Sequence, residues 1–422
     1  MSLTRPNFKM HSASKSKLTP IDVALDSLLR AVPHVEEQES VEILQARGRV
    51  LAAECKSDLD VPPYANSAMD GYAIRVADLL QEPVTLPVRQ RIAAGQTGTA
   101  LAAGEAARIF TGAPIPPGAD AVVIQENCSL NGALVTILQN VKKGSNLRQA
   151  GEDVAAGAIL FTSGHRFRAQ DIGFLASAGI RRVQVTRKLK VALMTTGNEL
   201  VLPGNRLQPG QIYNSNFYTL SALLDALNVE VVDFGIVGDD LESTRKALRD
   251  AASTADCIIS TGGVSVGEED YVKAAVESEG SLDLWKLAIK PGKPLACGKI
   301  SVEQTETQFF GLPGNPVSAF ITFVLVVRPC LLRMLGCSSP LAQTFKLSAG
   351  FERSASGERQ EYLRSVIATH QERGREILPY TNQSSGVGAS LSHADGLAII
   401  PSYTSVAIGD SLDFIPFSEI LN

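Results

Sequence analysis

The sequence predicts a multidomain α/β protein built around a parallel sheet with helices on both faces. Three observations carry this reading. The chain has 422 residues, too many for one core and enough for roughly three domains. Residues 188–337 alternate apolar strands with amphipathic helices, the pattern of a parallel sheet covered on both sides. The flanking segments are instead rich in short Val, Ile and Ala runs broken by Gly, Pro and Asn, as in β modules.

Taken in order, residues 1–17 are polar and Ser/Lys-rich and are expected to form a disordered tail. From Pro20 to Leu51 apolar residues such as Ile21, Ala24, Leu28 and Leu29 recur at helical spacing, so that stretch is expected to be helical. Residues 51–145 read as a β module, and 146–187 as mixed structure with a helix over Gln170–Ala178. The return to helix implies that the β module is inserted into a linking domain of residues 18–50 plus 146–187. In the central part, strands are expected over Lys190–Thr196, Val229–Val237, Cys257–Ser260 and Phe309–Leu312. Helices are expected over Asn216–Leu227, Leu241–Ala252, Asp270–Glu277 and Val317–Leu335. Residues 338–422 are strand-like again, with turn signals at Ser356-Gly357 and Ala394-Asp395-Gly396.

Composition removes several function classes. Thirty-nine Lys and Arg against 44 Asp and Glu give a net charge of −5, so no global basic field advertises nucleic acid. The six cysteines form no CxxC pair, and no secretory signal is evident, so reduced, buried thiols are expected. The apolar run Phe320–Val327 stops at Arg328-Pro329, too short to span a bilayer; a cytoplasmic protein is expected. None of the five histidines lies in a glycine-rich loop, which argues against a Ser-His-Asp hydrolase or a His-rich metal site.

The chemistry concentrates in three loops. In Ile258–Tyr271 a buried strand runs into Gly262, Gly263, Ser265 and Gly267, and then into an acidic helix start. Glycines let backbone N–H groups approach an anion, and a helix N-terminus favours negative charge. Glu268 follows Gly267, so this is not a Walker A loop. A second loop, Ile289–Pro294, carries Lys290 and Lys293, with Lys286 just before it. A third, Gly311–Pro316, contains Pro313, Gly314, Asn315 and Pro316. A glycine-rich turn alone is more often structural, and lysines are usually solvated. Three such loops at strand ends, where α/β sheets bind ligands, point to a phosphate-like ligand. Carboxylates accompany them. Glu199 either caps a helix or binds a ligand hydroxyl or amide, and Asp239 and Asp240 are helix N-cap candidates. Asp270 sits at the first helical turn beyond the glycine loop, where a carboxylate beside phosphates most often shares a Mg²⁺ ion. Asp70, Thr111, Arg148 and Asp153 lie in distinctive turns earlier in the chain.

Together PPYANSAMDGYA (62–73), FTGAPIPPGADAVV (110–123), RQAGEDV (148–154), TTGNEL (195–200), STGGVSVGEEDY (260–271), KLAIKPGKP (286–294) and GLPGNPVSAF (311–320) resemble, in order, the molybdopterin molybdenumtransferase family. These are the molybdenum insertases of molybdenum cofactor biosynthesis; the E domain of the eukaryotic scaffold gephyrin is similar too. The likeness runs from about Leu18 to the C-terminus. It implies that residues 188–337 bind the pterin nucleotide and that residues 338–422 form a β-barrel. It also implies a homodimer with the site between subunits, in which Asp70, Thr111, Arg148 and Asp153 face the partner's pterin domain. The implied reaction transfers molybdate to the dithiolene of adenylated molybdopterin and releases AMP, with Mg²⁺ required and Asp270 as the metal-associated aspartate. Lys290 and Lys293 would neutralise molybdate or phosphate, with Lys286 nearby. Gly262, Gly263 and Ser265 would cradle phosphates. Glu199 and Asp239 match acidic positions near the ligand, and Pro313 and Pro316 would fix the third loop. Arg359 and Ser385 match anion ligands of the family, although Gln360 and Ser384 depart from its usual pattern. Transient contacts with a molybdopterin adenylyltransferase and with apo-molybdoenzymes are implied as well. A non-catalytic molybdopterin-binding scaffold and an adenylyltransferase are the alternatives. The retained carboxylates and lysines argue against the first, and the β-rich segments flanking the central domain argue against the second.

Overall fold

The computed structural model describes residues 18–80, 83–139, 141–263, 271–303 and 305–421. The expected tail at residues 1–17 lies outside them, as do Ser265, Gly267 and Asp270.

Helix α1 (Ile21–Ala31) is much shorter than the periodicity over Pro20–Leu51 predicts. Val32 is already extended, because Pro33 disfavours helical backbone in the residue before it. The acidic stretch that follows becomes strand β1 (Gln38–Glu42). Six further strands form one sheet: β2 (Gly71–Ile74), β3 (Val84–Ile92), β4 (Ala106–Ile109), β5 (Ala121–Ile124), β6 (Cys128–Asn131) and β7 (Leu134–Ile137), in the order β5-β2-β4-β3-β7-β6. After helix α2 (Ala169–Ser177), strand β8 (Arg182–Thr186) pairs antiparallel with β1, from Gln38 against Thr186 to Glu42 against Arg182. The charges on β1 thus find partners: Arg182 bonds Glu42, and Arg49 bonds Glu39.

The central region contains β9 (Lys190–Thr196), α3 (Ser215–Ala226), β10 (Glu230–Val237), α4 (Leu241–Ala252), β11 (Cys257–Thr261), α5 (Tyr271–Glu279), β12 (Gly280–Lys286), β13 (Pro294–Val302) and β14 (Thr305–Leu312). The chain then continues through α6 (Pro316–Thr322), a π-helical turn (Phe323–Val327) and α7 (Arg328–Met334). The sheet order is β10-β9-β11-β14-β13-β12. Strands β10, β9, β11 and β14 are parallel, as the sequence predicts. The sequence reading missed β12 and β13, and the sheet is not purely parallel. These two form a hairpin, and β13 runs antiparallel to both neighbours. A hairpin needs only a short connection, so it leaves no helix in the sequence to announce it.

Strand alternation divides the core between two faces. Val191, Leu193, Cys257 and Ile259 pack with α1, α3, α6 and α7. Ala192, Met194 and Ile258 pack with Leu248 and Ala251 of α4 and Val272, Ala275 and Val276 of α5. Both faces are therefore apolar, which is why β9 reads as an uninterrupted apolar run. The 19-residue helical run Pro316–Met334 is long and apolar enough to cross a membrane, longer than the run Phe320–Val327 considered above. It serves as a core element instead, since 89% of its apolar window is buried inside the protein.

The C-terminal region is a closed barrel of β15 (Phe345–Ala349), β16 (Gln360–His370), β17 (Gly374–Pro379), β18 (Gly396–Ile400) and β19 (Ser411–Pro416). Pairings β16–β17, β17–β15, β15–β19, β19–β18 and β18–β16 complete the ring. Closure removes free edges. Ala349, Leu363, Ile377, Ala398 and Phe414 fill its interior.

Candidate functional site

The registers of the central sheet bring its loops to one edge. Thr195 lies opposite Thr261, Thr261 opposite Leu312, and Thr196 opposite Val237. Because β12 runs in the same direction as β14, the β12–β13 turn opens at that edge too. All three anion-friendly loops therefore leave the sheet on one side.

Gly262 and Gly263 follow β11 with φ of +90° and +62°, left-handed backbone that strains any other residue. Space also demands glycine here. A Cβ on Gly262 would lie 2.5 Å from the Thr196 carbonyl oxygen, and one on Gly263 would collide with Val272. The Gly262 N–H donates to Leu312 O at 3.2 Å. Beside it, a Cβ on Gly314 would lie 3.8 Å from Gly262 Cα, so the first and third loops meet. Pro313 is buried, while Gly314 and Asn315 are exposed. Asn216 at the start of α3 fixes this loop by donating from Nδ2 to Gly314 O at 2.8 Å. Pro316 opens α6, and the next N–H, of Val317, donates to Ser385 O at 3.1 Å. Ser385 of the barrel region is thus docked on the third loop.

The lysine loop is closed by Leu287 N–H donating to Lys293 O at 2.8 Å. Thr19 clips its base, donating to Lys286 O at 2.8 Å and accepting from Ala288 N–H at 2.7 Å. Ile289 and Lys290 pair in parallel with Gln360 and Glu361 of β16. The Lys290 ammonium lies 2.9 Å from Glu361 Oε1, with the Arg353 guanidinium on the other carboxylate oxygen. Burial would raise the Glu361 pKa, but bonds and charge from Lys290 and Arg353 outweigh it and hold the carboxyl below its usual range. Half of the Lys290 side chain (51%) stays exposed beside the sheet edge. Lys290 therefore does not simply await an anion; it is already oriented by a carboxylate. Lys293 is exposed, Lys286 half-buried, and Arg359, the residue just before β16, half-buried.

Two carboxylates flank these loops. Glu199 folds back over Gly197, whose Cβ would lie 2.5 Å from Glu199 Oε2. Of the aspartate pair after β10, Asp240 makes the helix cap, accepting from Ser243 N–H at 2.8 Å, which holds its pKa low. Asp239 is half-buried and is not the cap residue.

The earlier residues gather elsewhere. Asp70 Oδ1 accepts from both the N–H and the hydroxyl of Thr111, each at 2.8 Å. Those bonds, with the nearby Arg108 charge, lower its pKa. Arg148 pairs with Asn66 in a two-residue ladder, and Asp153 N–H donates to Val61 O at 2.9 Å. The segments holding Asp70, Thr111, Arg148 and Asp153 thus form a second polar cluster, on the N-terminal side of the central sheet in sequence.

Glu361, Arg353 and Thr196 are site neighbours that sequence reasoning did not assign. Glu361 lies 71 residues from Lys290, so no local pattern joins them. Among the described residues no three of His, Cys, Asp or Glu converge to hold a metal. Asp270, the carboxylate expected at a Mg²⁺ ion, lies outside the described residues.

This is a multidomain α/β protein with a pterin-domain type of sheet followed by a closed barrel. Residues 19–179 match the MoeA N-terminal region (domain I and II), residues 192–333 the probable molybdopterin binding domain, and residues 346–417 the MoeA C-terminal region (domain IV). A molybdopterin molybdenumtransferase of Haemophilus influenzae is 42% identical, over 75% of this chain and 78% of that protein. One from Nostoc sp. is 35% identical over 91% of both. The crystal structure of a molybdopterin biosynthesis moeA protein from Pyrococcus horikoshii OT3 superposes with a TM-score of 0.79 at 28% identity, covering 95% of this chain and all (100%) of that one. The chain belongs to the molybdopterin molybdenumtransferase family, transferases of molybdenum cofactor biosynthesis.

Proposed function

We propose that this chain inserts molybdenum into molybdopterin at the sheet edge from which the Gly262, Lys290 and Gly314 loops all leave. The substrates are molybdate and adenylated molybdopterin. The two dithiolene thiols displace one oxo oxygen of molybdate, which takes up their two protons and leaves as water, so molybdenum stays hexavalent. Hydrolysis of the phosphoanhydride by one water breaks its P–O bond, releasing AMP and leaving the phosphate ester on the pterin. The observation that carries the reading is the meeting of two glycine loops at the sheet edge that also bears a half-exposed lysine already oriented by Glu361. Preorganised N–H groups and a placed cation suit charge developing on an anhydride. Lys290, with Lys286, Lys293, Arg359 and Ser385, holds the oxyanion. The Gly263 N–H, with Ser265, holds phosphate oxygens, Gly262 lets the backbone approach them closely, and Pro313, Gly314, Asn315 and Pro316 shape the wall. Glu199 and Asp239 orient polar groups of the ligand. Mg²⁺ would be shared between the phosphates and Asp270 and would neutralise anhydride charge.

The chain acts as a cytoplasmic homodimer in this reading. Asp70, Thr111, Arg148 and Asp153 complete the site of the second copy, which accounts for a polar cluster so far along the chain from the glycine loop. The test is reconstitution with adenylated molybdopterin, molybdate and Mg²⁺, following AMP and activation of an apo-molybdoenzyme. Molybdate-dependent AMP release with activation is expected. Nucleotide binding without either signal overturns the catalytic reading and leaves a scaffold.

A further inference from the structure

Buried side-chain polar atoms almost always have hydrogen-bond partners. Among the described residues six lack one: Asn66 Oδ1, Thr196 Oγ1, Ser221 Oγ, Ser260 Oγ, Trp285 Nε1 and Thr322 Oγ1. Thr196 stands out by its position. It is the last residue of β9, only 5% exposed, at the carboxyl edge of the sheet. Its hydroxyl lies 2.9 Å from where a Cβ on Gly262 would be and 3.2 Å from the same point on Gly263. The preceding threonine is the useful contrast. Thr195 Oγ1 donates to Gly235 O at 3.1 Å and accepts from Asn214 Nδ2 at 2.9 Å. One threonine is thus fully used by the fold, and its neighbour, beneath the glycine loop, is not.

We propose that the Thr196 hydroxyl is a substrate ligand, donating a hydrogen bond to an anionic oxygen of the pterin nucleotide held at the Gly262–Gly263 loop. This assignment rests on the reading under Proposed function. A buried donor without an acceptor destabilises a fold, whereas the same donor beside an oxyanion makes a charge-assisted bond. The Gly262 and Gly263 backbone passes beside the hydroxyl, and the missing side chains leave room there for a ligand oxygen to approach closely. Valine has the shape of threonine without the donor, so substitution separates packing from hydrogen bonding.

The experiment compares the full-length protein with its Thr196→Val, Thr196→Ser and Ser221→Ala variants. It reads the dissociation constant for adenylated molybdopterin and the thermal midpoint. Thr196→Val is expected to keep or raise the midpoint while weakening binding roughly tenfold. Thr196→Ser restores the affinity. Ser221→Ala, which removes an orphan hydroxyl from α3, leaves the affinity unchanged. A fall in the midpoint of Thr196→Val overturns the assignment, because the hydroxyl then has a partner within the fold. So does unchanged binding by Thr196→Val, or weakened binding that serine does not restore. Absence of binding by the unsubstituted protein instead overturns the proposed function, and this assignment with it.

Discussion

Glu361 holds two cations at once, and its charge state sets how firmly the barrel grips the lysine loop. Its pKa is lowered by folding. The ion pairs are therefore stabilising above the ordinary value of 4.5 and are lost as pH falls through the lower folded value. Glu361→Gln should cost about 1–3 kcal/mol at neutral pH. In urea unfolding followed against pH, the gap between the two proteins should close below the glutamate range. A gap independent of pH would show that packing, not charge, is at work. Gly262→Ala is a harsher change, meeting left-handed φ and the Thr196 carbonyl together; calorimetry should show loss of pterin nucleotide binding. Sequence alone made the glycines, prolines and lysines of this edge legible, because they sit in short local patterns. Glu361 and Thr196 were invisible there. One acts through a partner 71 residues away, and the other is notable only for a bond it lacks.

Elements were legible where both faces of a strand are buried or a helix shows a clear apolar stripe. The strands β9 and β10 and the helix α4 follow the expected spans closely. Hairpin strands β12 and β13 were not legible, since β12 has only exposed and half-buried residues in no regular alternation and carries no strong apolar signal. Helix α1 was overextended because a helical apolar spacing continued past Pro33, where the backbone turns extended. The start of α3 is an element held by one residue. Asn214 caps it by accepting from Phe217 N–H, and donates to Thr195 Oγ1 on β9. Asn214→Ala should destabilise the protein by about 1–3 kcal/mol, the loss of a cap plus a buried bond. Denaturant unfolding measures this. Because α3 also carries Asn216, which fixes the Gly314 loop, nucleotide affinity should fall in the same variant; unchanged affinity would uncouple the helix from the site.

At the scale of the molecule, the residues of the proposed site divide between two places in one chain. Asp70 with Thr111 lies in one, and Gly262 with Lys290 in the other. If two copies share each site, Asp70→Ala and Lys290→Ala homodimers should each lose most activity. A dimer mixed from the two should then retain one working site, near half the activity of the unsubstituted protein. Complete inactivity of the mixed dimer would refute shared sites. The three-part match to one family agrees with the segment order found in the sequence, whereas the closure of the barrel was expected only through that resemblance. No local pattern in residues 338–422 says that β18 returns to β16. The aligned ends of β9, β11 and β14 have one more consequence. Adding a residue to any of them lifts its loop by about 3.3 Å, more than a hydrogen bond spans. Strand length is thus a ruler for the site. Evolution can exchange the apolar side chains inside these strands, but insertions and deletions should be confined to the opposite edge of the sheet.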